Sequence, residues 1–326
     1  MDIFSVTIVG LGNIGMMYDY KDNSNKTFLS HLKSFKFHSG FNIVNVVDPN
    51  KEKLFLAKEK FGNKINYLAS IEDIDVVTDV FVLSSIPKVN FDHFNKLKSN
   101  NKIKFFFIEK PFWNSLKKFT DIELSSDKFY VNYTRKCLPF IINLKSDIDN
   151  LKFGKALGLH VYYSKGIKNN GSHIIDLINY LFNGNVDLDS ITNISVVDDH
   201  NEKDKSFSFS VNYSYNNYDF PVIFQALNET YFSLIEFDVI FENTRFRFYD
   251  FGGKVEIYKK SSDLLFEGYK NLISVNTIDT KLYLYGLYSC NLIHDILTSK
   301  KSNNSKLVNE AKTNELIDLI IKKNEK

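Results

Sequence analysis

The sequence predicts an α/β chain: a doubly wound parallel sheet in the N-terminal part, then an α/β domain with a large open, mainly antiparallel sheet. Three observations predict it. The run Phe4-Ser5-Val6-Thr7-Ile8-Val9 empties into Gly10-Leu11-Gly12-Asn13-Ile14-Gly15, a buried-type strand closing on a G-x-G-x-x-G turn. Apolar runs and helical periods then alternate, as successive βαβ units do. From about Leu151 the strands lengthen and take a strict period of two, the pattern of an antiparallel sheet with one buried face.

Length and composition set the outer bounds. A chain of 326 residues has room for two domains and a sizeable core. With 44% hydrophobic and 25% charged residues it is globular in type, which excludes wholesale disorder. A formal charge of +2 gives no electrostatic case for nucleic acid or an anionic membrane. Cys137 and Cys290 lie far apart without C-x-x-C spacing, so neither a disulfide framework nor a zinc site is indicated. No window approaches the roughly 20 apolar residues of a membrane span, and the first residues lack the form of a secretory signal. The expectation is a soluble, cytoplasmic protein without a metal site.

Each glycine of the turn has a physical task. Gly10 allows the tight turn out of the strand, and Gly12 lets backbone come close to a pyrophosphate. Gly15 lets a following helix lie on the sheet, with the N–H groups of its first residues, Asn13 and Ile14 among them, toward the phosphates. The next strand, Asn42-Ile43-Val44-Asn45-Val46-Val47, ends in Asp48. A carboxylate there suits the ribose hydroxyls of NAD and repels a 2′-phosphate, although it comes later than the usual spacing of about 20 residues. Lys51 close by keeps NADP open. Together the motif and the acid point to a dinucleotide.

The rest of the first domain follows in order. Tyr18 to Lys26 is polar and Asn-rich and reads as a loop, after which Phe28-Leu29-Ser30-His31-Leu32-Lys33 resumes a helical period. His31 and His38 read as plain surface or packing histidines. Asp48-Pro49-Asn50 opens a helix at Lys51, with proline and a capping amide in the first turn. Val76 to Leu83 is a strand region closed by Ser84-Ser85-Ile86-Pro87. Ser84, Ser85 and Pro87 stand where a loop after a parallel strand edges a cofactor. Ile103 to Ile108 is the next strand and runs into Glu109-Lys110-Pro111.

In the second half, Phe207 to Tyr215, Ile235 to Phe241, Arg245 to Tyr249 and Val255 to Tyr258 all alternate, and Asp250 to Lys254 is a turn. Tyr283 to Leu297 and Leu307 to Ile321 have helical periods. The expected domains are 1–122 and 123–326, with the closing helix left to pack on either.

Two constellations carry chemistry. Lys110 ends a parallel strand, where side chains reach the ligand crevice, and Pro111 fixes the backbone that aims it. A lysine partly withdrawn from water there is able to exchange a proton. In Gly166-Ile167-Lys168-Asn169-Asn170-Gly171-Ser172-His173-Ile174-Ile175-Asp176, Asn169 and His173 are four apart. They share a face if the segment starts a helix.

Taken in order, the glycine turn, Glu109-Lys110-Pro111 and Gly171-Ser172-His173-Ile174-Ile175-Asp176 resemble the Gfo/Idh/MocA oxidoreductase family. The resemblance implies a Rossmann domain followed by an α/β domain whose open sheet forms homodimers or homotetramers. It implies hydride transfer between NAD(P) and a carbinol carbon of a sugar or nucleotide-linked sugar, the latter in surface glycan synthesis. By position Lys110 matches the catalytic lysine of the family's E-K-P motif, with Glu109 counted at the cofactor. His173 matches the histidine of its D-x-x-x-H motif. Asn169, Arg135 and Asp176 become candidate substrate contacts. The departure is Asn169, where the family carries aspartate: an amide hydrogen-bonds a hydroxyl but accepts no proton at neutral pH. That leaves open a second reading, a non-catalytic protein that binds dinucleotide and sugar to regulate a partner.

Overall fold

Six strands, β1 (Phe4–Val9), β2 (Phe41–Val47), β3 (Asn66–Leu68), β4 (Val80–Leu83), β5 (Phe105–Glu109) and β6 (Phe129–Asn132), form one parallel sheet. Their order is β3-β2-β1-β4-β5-β6, which reverses direction between β1 and β4. Such a reversal is the switch point at which a doubly wound sheet opens a crevice beyond its carboxyl edge. The computed structural model describes residues 2–112, 121–198, 203–262, 265–303 and 305–325.

Helices α1 (His31–Phe37), α2 (Lys51–Phe61), α3 (Pro87–Leu97) and α4 (Asp121–Ser125) join these strands. Further on come α5 (Pro139–Asp149), α6 (Ser172–Leu181), α7 (Tyr285–Leu297) and α8 (Leu307–Asn324). The strand runs are almost unbroken in apolar residues because both faces of the sheet are covered. Val80, Val82, Phe105 and Phe107 join Leu32, Phe35 and Ile293 in one buried cluster. Their neighbours Phe81, Leu83, Phe106 and Ile108 join Phe94, Phe129 and Leu307 in another.

Two units divide the chain: Met1–Cys137 with Tyr283–Ala311, and Leu138–Leu282 with Lys312–Lys326. This differs from the expected boundary at 122/123. The first unit runs past it because β6 pairs with β5 and completes the sheet. It also includes α7, which packs on α1, and the first residues of α8.

The connection after β1 departs from a simple βαβ unit. The expected helix directly after Gly15 is broken: turns and a short 3-10 segment at Met17–Asp19 follow, and α1 begins only at His31. Yet the His31 and Leu32 N–H groups donate to the carbonyls of Ile14 and Gly15 at 2.9 and 3.0 Å. The helix started at the glycine turn is therefore resumed by α1 after an excursion. Buried Asp19 holds the junction, accepting from the N–H groups of Leu29 and Ser30 at 2.7 and 3.2 Å and from the Ser30 hydroxyl. Asp22 collects the N–H of Ser24, the Thr27 hydroxyl and the Lys33 ammonium, and these bonds hold its carboxyl well below the usual range.

The second unit holds β7 (Ala156–Tyr163), β8 (Val186–Val197), β9 (Ser206–Tyr215), β10 (Tyr218–Ala226), β11 (Ile235–Phe241), β12 (Thr244–Tyr249), β13 (Lys254–Ser262) and β14 (Lys270–Asp279). Their order is β14-β13-β12-β11-β7-β10-β9-β8, antiparallel throughout except for β7 beside β10. Alternate residues face the core, as in Phe220, Val222, Phe224 and Ala226 of β10. Cross-strand aromatic pairs fill it: Phe237 stacks on Phe248 at 4.2 Å and Phe209 on Phe224 at 4.4 Å. The apolar faces of α5 and α6 are buried in the same unit. Much of the aromatic content of the second sheet is thus core packing, whereas Tyr231, Phe232, Phe266 and Tyr269 are exposed. Among the described residues no helix is long and apolar enough to cross a membrane.

Candidate functional site

The glycine turn is over-determined by its own backbone. Gly10 has φ +96°, and a Cβ there would come within 2.6 Å of Ser85 Oγ and 2.7 Å of its amide nitrogen. Gly15 folds back so tightly that a Cβ would lie 2.0 Å from the Gly10 carbonyl oxygen. The Gly10 N–H donates to Val47 at 2.8 Å. The Ser84 hydroxyl, buried, reaches the carbonyls of Val9 and Gly10 at 2.9 and 2.8 Å. Gly12 is the exception, with nothing within 4 Å of its Cβ position. Asn13 is exposed and Ile14 half-buried on the same crest. Among the described residues, no group accepts from the N–H groups of Gly12, Asn13, Ile14 or Gly15. Several orphaned donors on one turn, at the carboxyl edge of a parallel strand, form a ready cradle for an anion.

Asp48 sits against that turn. It is 6% exposed, and its two oxygens accept the N–H groups of Leu11 at 2.6 Å and Asn50 at 2.8 Å. The carboxylate thus ties the glycine turn to the start of α2, where the Asn50 side chain caps Glu52 and Lys53. A carboxylate offers about four lone-pair sites, and two of them are taken by these N–H groups. Lys51, the first residue of α2, is exposed.

Beyond β4, the two serines separate in role. Ser84 belongs to the inner wall of the glycine turn, whereas Ser85 is half-buried and braced by Asn90. The Asn90 side chain accepts the Ser85 N–H at 2.8 Å and donates to its carbonyl at 3.0 Å. Pro87 is exposed as the first residue of α3. Asn90 belongs to no motif that the sequence displays.

At the end of β5, one oxygen of Glu109 receives His31 Nε2 at 2.7 Å and Asn132 Nδ2 at 2.6 Å. His31 is 2% exposed and stands edge-on to Phe107 at 5.2 Å. It is not the plain packing histidine expected, but a partner of the carboxylate next to Lys110. Burial, then the charge of Glu109, pushes the Tyr285 hydroxyl well above its ordinary pKa. Lys110 is half-buried, joined to Pro111 by a cis peptide bond. Arg135 lies in the 3-10 turn Thr134–Cys137 at 6% exposure, and burial pulls its guanidinium down to about 10.

The second unit holds the other constellation. After β7 the chain takes left-handed turns at Lys165 (φ 72°) and Gly166 (φ 82°), then forms a π-helical turn over Gly166–Gly171 that runs into α6. Such π turns inside helices recur at functional sites. Asp204 anchors it, accepting the N–H groups of Lys168 and Asn169 at 2.9 and 2.8 Å. A Cβ on Gly166 would meet that carboxylate at 2.0 Å. Asn169 is exposed on the π turn and His173 half-buried on the first turn of α6. Asp176 is 1% exposed and faces the core beside Tyr213. Burial chiefly, and the Asp176 charge after it, drives the Tyr213 hydroxyl far above its ordinary pKa. Neither the π turn nor Asp204 was readable locally, since the carboxylate is 35 residues from the amide it holds.

Among the described residues no group of three or more His, Cys, Asp or Glu side chains is arranged to hold a metal ion.

No protein-family model and no curated protein matches the sequence. The fold is that of solved dehydrogenase and oxidoreductase structures. A dehydrogenase (MviM) from Clostridium difficile is 16% identical with a TM-score of 0.71, the match covering 98% of this chain and 99% of that one. An oxidoreductase from Agrobacterium radiobacter, in complex with NAD+, L-tartaric acid and magnesium, is 12% identical with a TM-score of 0.67, covering 97% and 94%. The super-repressor mutant of Gal80p from Saccharomyces cerevisiae is 14% identical with a TM-score of 0.72, covering 100% and 96%. At these identities the likeness is one of fold.

Proposed function

We propose that the chain is an NAD(P)-dependent oxidoreductase acting on a secondary alcohol or ketone carbon of a sugar, a nucleotide-linked sugar used in surface glycan synthesis being the preferred substrate. One observation carries the cofactor part: the N–H groups of Gly12, Asn13, Ile14 and Gly15 have no acceptor among the described residues, on a turn braced by Asp48 and Ser84. Donors so arranged fit the pyrophosphate of a dinucleotide, and Asp48 fits the adenosine ribose. The complex of the Agrobacterium radiobacter oxidoreductase with NAD+ supports the same assignment. NAD is preferred over NADP because Asp48 sets a negative charge where a 2′-phosphate would lie.

The nicotinamide supplies the hydride chemistry. The chain's own residues orient and move a proton. Lys110 gives or takes the proton of the reacting hydroxyl, and Glu109, fixed by His31 and Asn132, holds the strand end from which Lys110 projects. In the second unit, His173 and Asn169 are the groups suited to bind sugar hydroxyls, the amide as a neutral hydrogen-bonding group in place of an acid. Lys110→Ala is expected to leave NADH binding intact and lower turnover by about 10²–10⁴. Unchanged turnover would remove Lys110 from the mechanism.

A regulatory reading is favoured by one residue and one comparison. Asn169 replaces an acid, and the super-repressor mutant of Gal80p shares the fold. A spectrophotometric screen of NADH with keto-sugars separates the two. NADH bound tightly but never oxidised by any of them would favour a dinucleotide-sensing regulator.

A further inference from the structure

The excursion between Gly15 and α1 sets an exposed tyrosine against the glycine turn. Its first residues wind straight on from that turn. The N–H groups of Met16 and Met17 donate to the Gly12 carbonyl at 2.9 and 3.1 Å, and that of Tyr18 to the Asn13 carbonyl at 2.9 Å. Asp19 turns inward at 3% exposure, whereas Tyr18 before it is 60% exposed. Among the described residues the Tyr18 side chain makes no hydrogen bond or ring contact. A side chain on a helical turn leans toward the turn before it, here the one that carries the Gly12 and Asn13 N–H groups.

The excursion is fastened from behind by the start of α7. The Phe28 N–H donates to the Tyr283 carbonyl at 2.8 Å, and the Phe28 carbonyl accepts the Gly286 N–H at 3.1 Å. Gly286 permits that approach, since a Cβ there would lie 2.8 Å from the Phe28 carbonyl oxygen. The Tyr285 hydroxyl donates to the Leu29 carbonyl. The same hydroxyl locates Tyr18: burial first, then the charges of Glu109, Tyr18 and Asp19, raise its pKa. Tyr18 therefore stands toward the end of β5. In the strand order, β5 lies on the other side of β1 from β2 and Asp48.

A dinucleotide with its adenosine ribose at Asp48 and its pyrophosphate on the glycine turn carries its nicotinamide toward β4 and β5. Resting on that dinucleotide reading, we propose that the Tyr18 ring is the wall against which the nicotinamide ring packs. The contact is supplied by the extra residues of the excursion and by none of the motifs in the sequence. Two flat rings gain from offset or edge contact, and an aromatic face on fixed backbone loses little freedom in making it.

Calorimetric titration of the full chain with NADH and with ADP-ribose tests it, since ADP-ribose keeps the pyrophosphate and both riboses but lacks the nicotinamide. Tyr18→Ala is expected to weaken NADH by about tenfold and to leave ADP-ribose within about twofold of wild type. Tyr18→Phe keeps the ring and should bind NADH as wild type does. The thermal midpoint should not move in either variant, because the side chain is exposed. Unchanged NADH affinity in Tyr18→Ala would overturn the proposal. So would an equal loss for both ligands, which would assign the residue to the turn itself. Tyr18→Phe losing as much as Tyr18→Ala would also overturn it, because the hydroxyl and not the ring would then be the contact. ADP-ribose failing to bind wild type would remove the dinucleotide reading and this proposal with it. ADP-ribose bound, with NADH indifferent to Tyr18, would remove the tyrosine alone.

Discussion

Gly15→Ala and Gly12→Ala add the same methyl group to one turn, and the structure separates their effects. At Gly15 the new carbon would lie 2.0 Å from the Gly10 carbonyl oxygen and 3.1 Å from Ser84 Oγ, where ordinary contact begins at 3.4 Å. Backbone must retreat by more than an ångström, yet Gly10 is held by Val47 on one side and Ser84 on the other, each at 2.8 Å. Overpacking of this kind costs about 1–3 kcal/mol and a damaged buried hydrogen bond about 0.5–1.5, so a loss of about 2–4 kcal/mol is expected. At Gly12 the methyl meets nothing within 4 Å, and φ lies outside the left-handed range. Stability should stay within about 0.5 kcal/mol of wild type. The methyl does, however, stand where a pyrophosphate would approach, so NADH affinity should fall by about tenfold or more. Urea unfolding followed by circular dichroism reads the first effect and NADH fluorescence titration the second. Wild-type NADH affinity in Gly12→Ala would refute the cradle, and a wild-type urea midpoint in Gly15→Ala would refute the geometry of the turn.

Three further outcomes follow from other parts of the molecule. His31→Phe strips a bond from Glu109, whose side chain is 11% exposed, and should cost about 1.5–3 kcal/mol in urea unfolding; His31→Gln should recover part of it. Asp204→Ala removes the acceptor of two N–H groups at the π turn and should lower stability by about 1–3 kcal/mol, with Asp204→Asn losing less. His38 accepts the Gly40 N–H on Nδ1 and bonds Asn291 through Nε2, and burial, opposed by that Asn291 bond, depresses its pKa below 6.5. Because the folded value is the lower one, its contribution is present above pH 6.5 and is lost as pH falls through the folded value. His38→Gln should therefore flatten the slope of stability against pH just below 6.5; an unchanged slope would assign that titration elsewhere.

What the sequence made legible were features written in local period. The glycine turn, the strand ending at Asp48 and the alternating strands of the second sheet follow from neighbours one to four residues apart. β3, at three residues, was too short to leave a period. β6 lies beyond the expected boundary at 122/123 and is recognised as part of the first sheet only by its pairing with Phe106 to Glu109. The braces of the candidate site were missed for the same reason: His31 meets Glu109 across 78 residues and Asn90 carries no motif. Residue type and motif position marked Lys110, His173, Arg135 and Asp176 as candidates, but the burial of Arg135 and Asp176, at 6% and 1% exposure, left no local signal.

The interrupted helix also explains a spacing. A helical bond joins residues four apart, so for His31 to donate to Ile14, and Leu32 to Gly15, two residues would suffice where Met16 to Ser30 now stand. Of these fifteen residues, thirteen are extra to the helical register that the two hydrogen bonds keep. Asp48 follows Gly15 by 33 residues. With those extra residues discounted, the interval returns to the roughly 20 that a dinucleotide fold sets between its glycines and its acid. Replacing Met16–Ser30 by two alanines would make the hidden register visible, as a continuous helix from the glycine turn to Phe37.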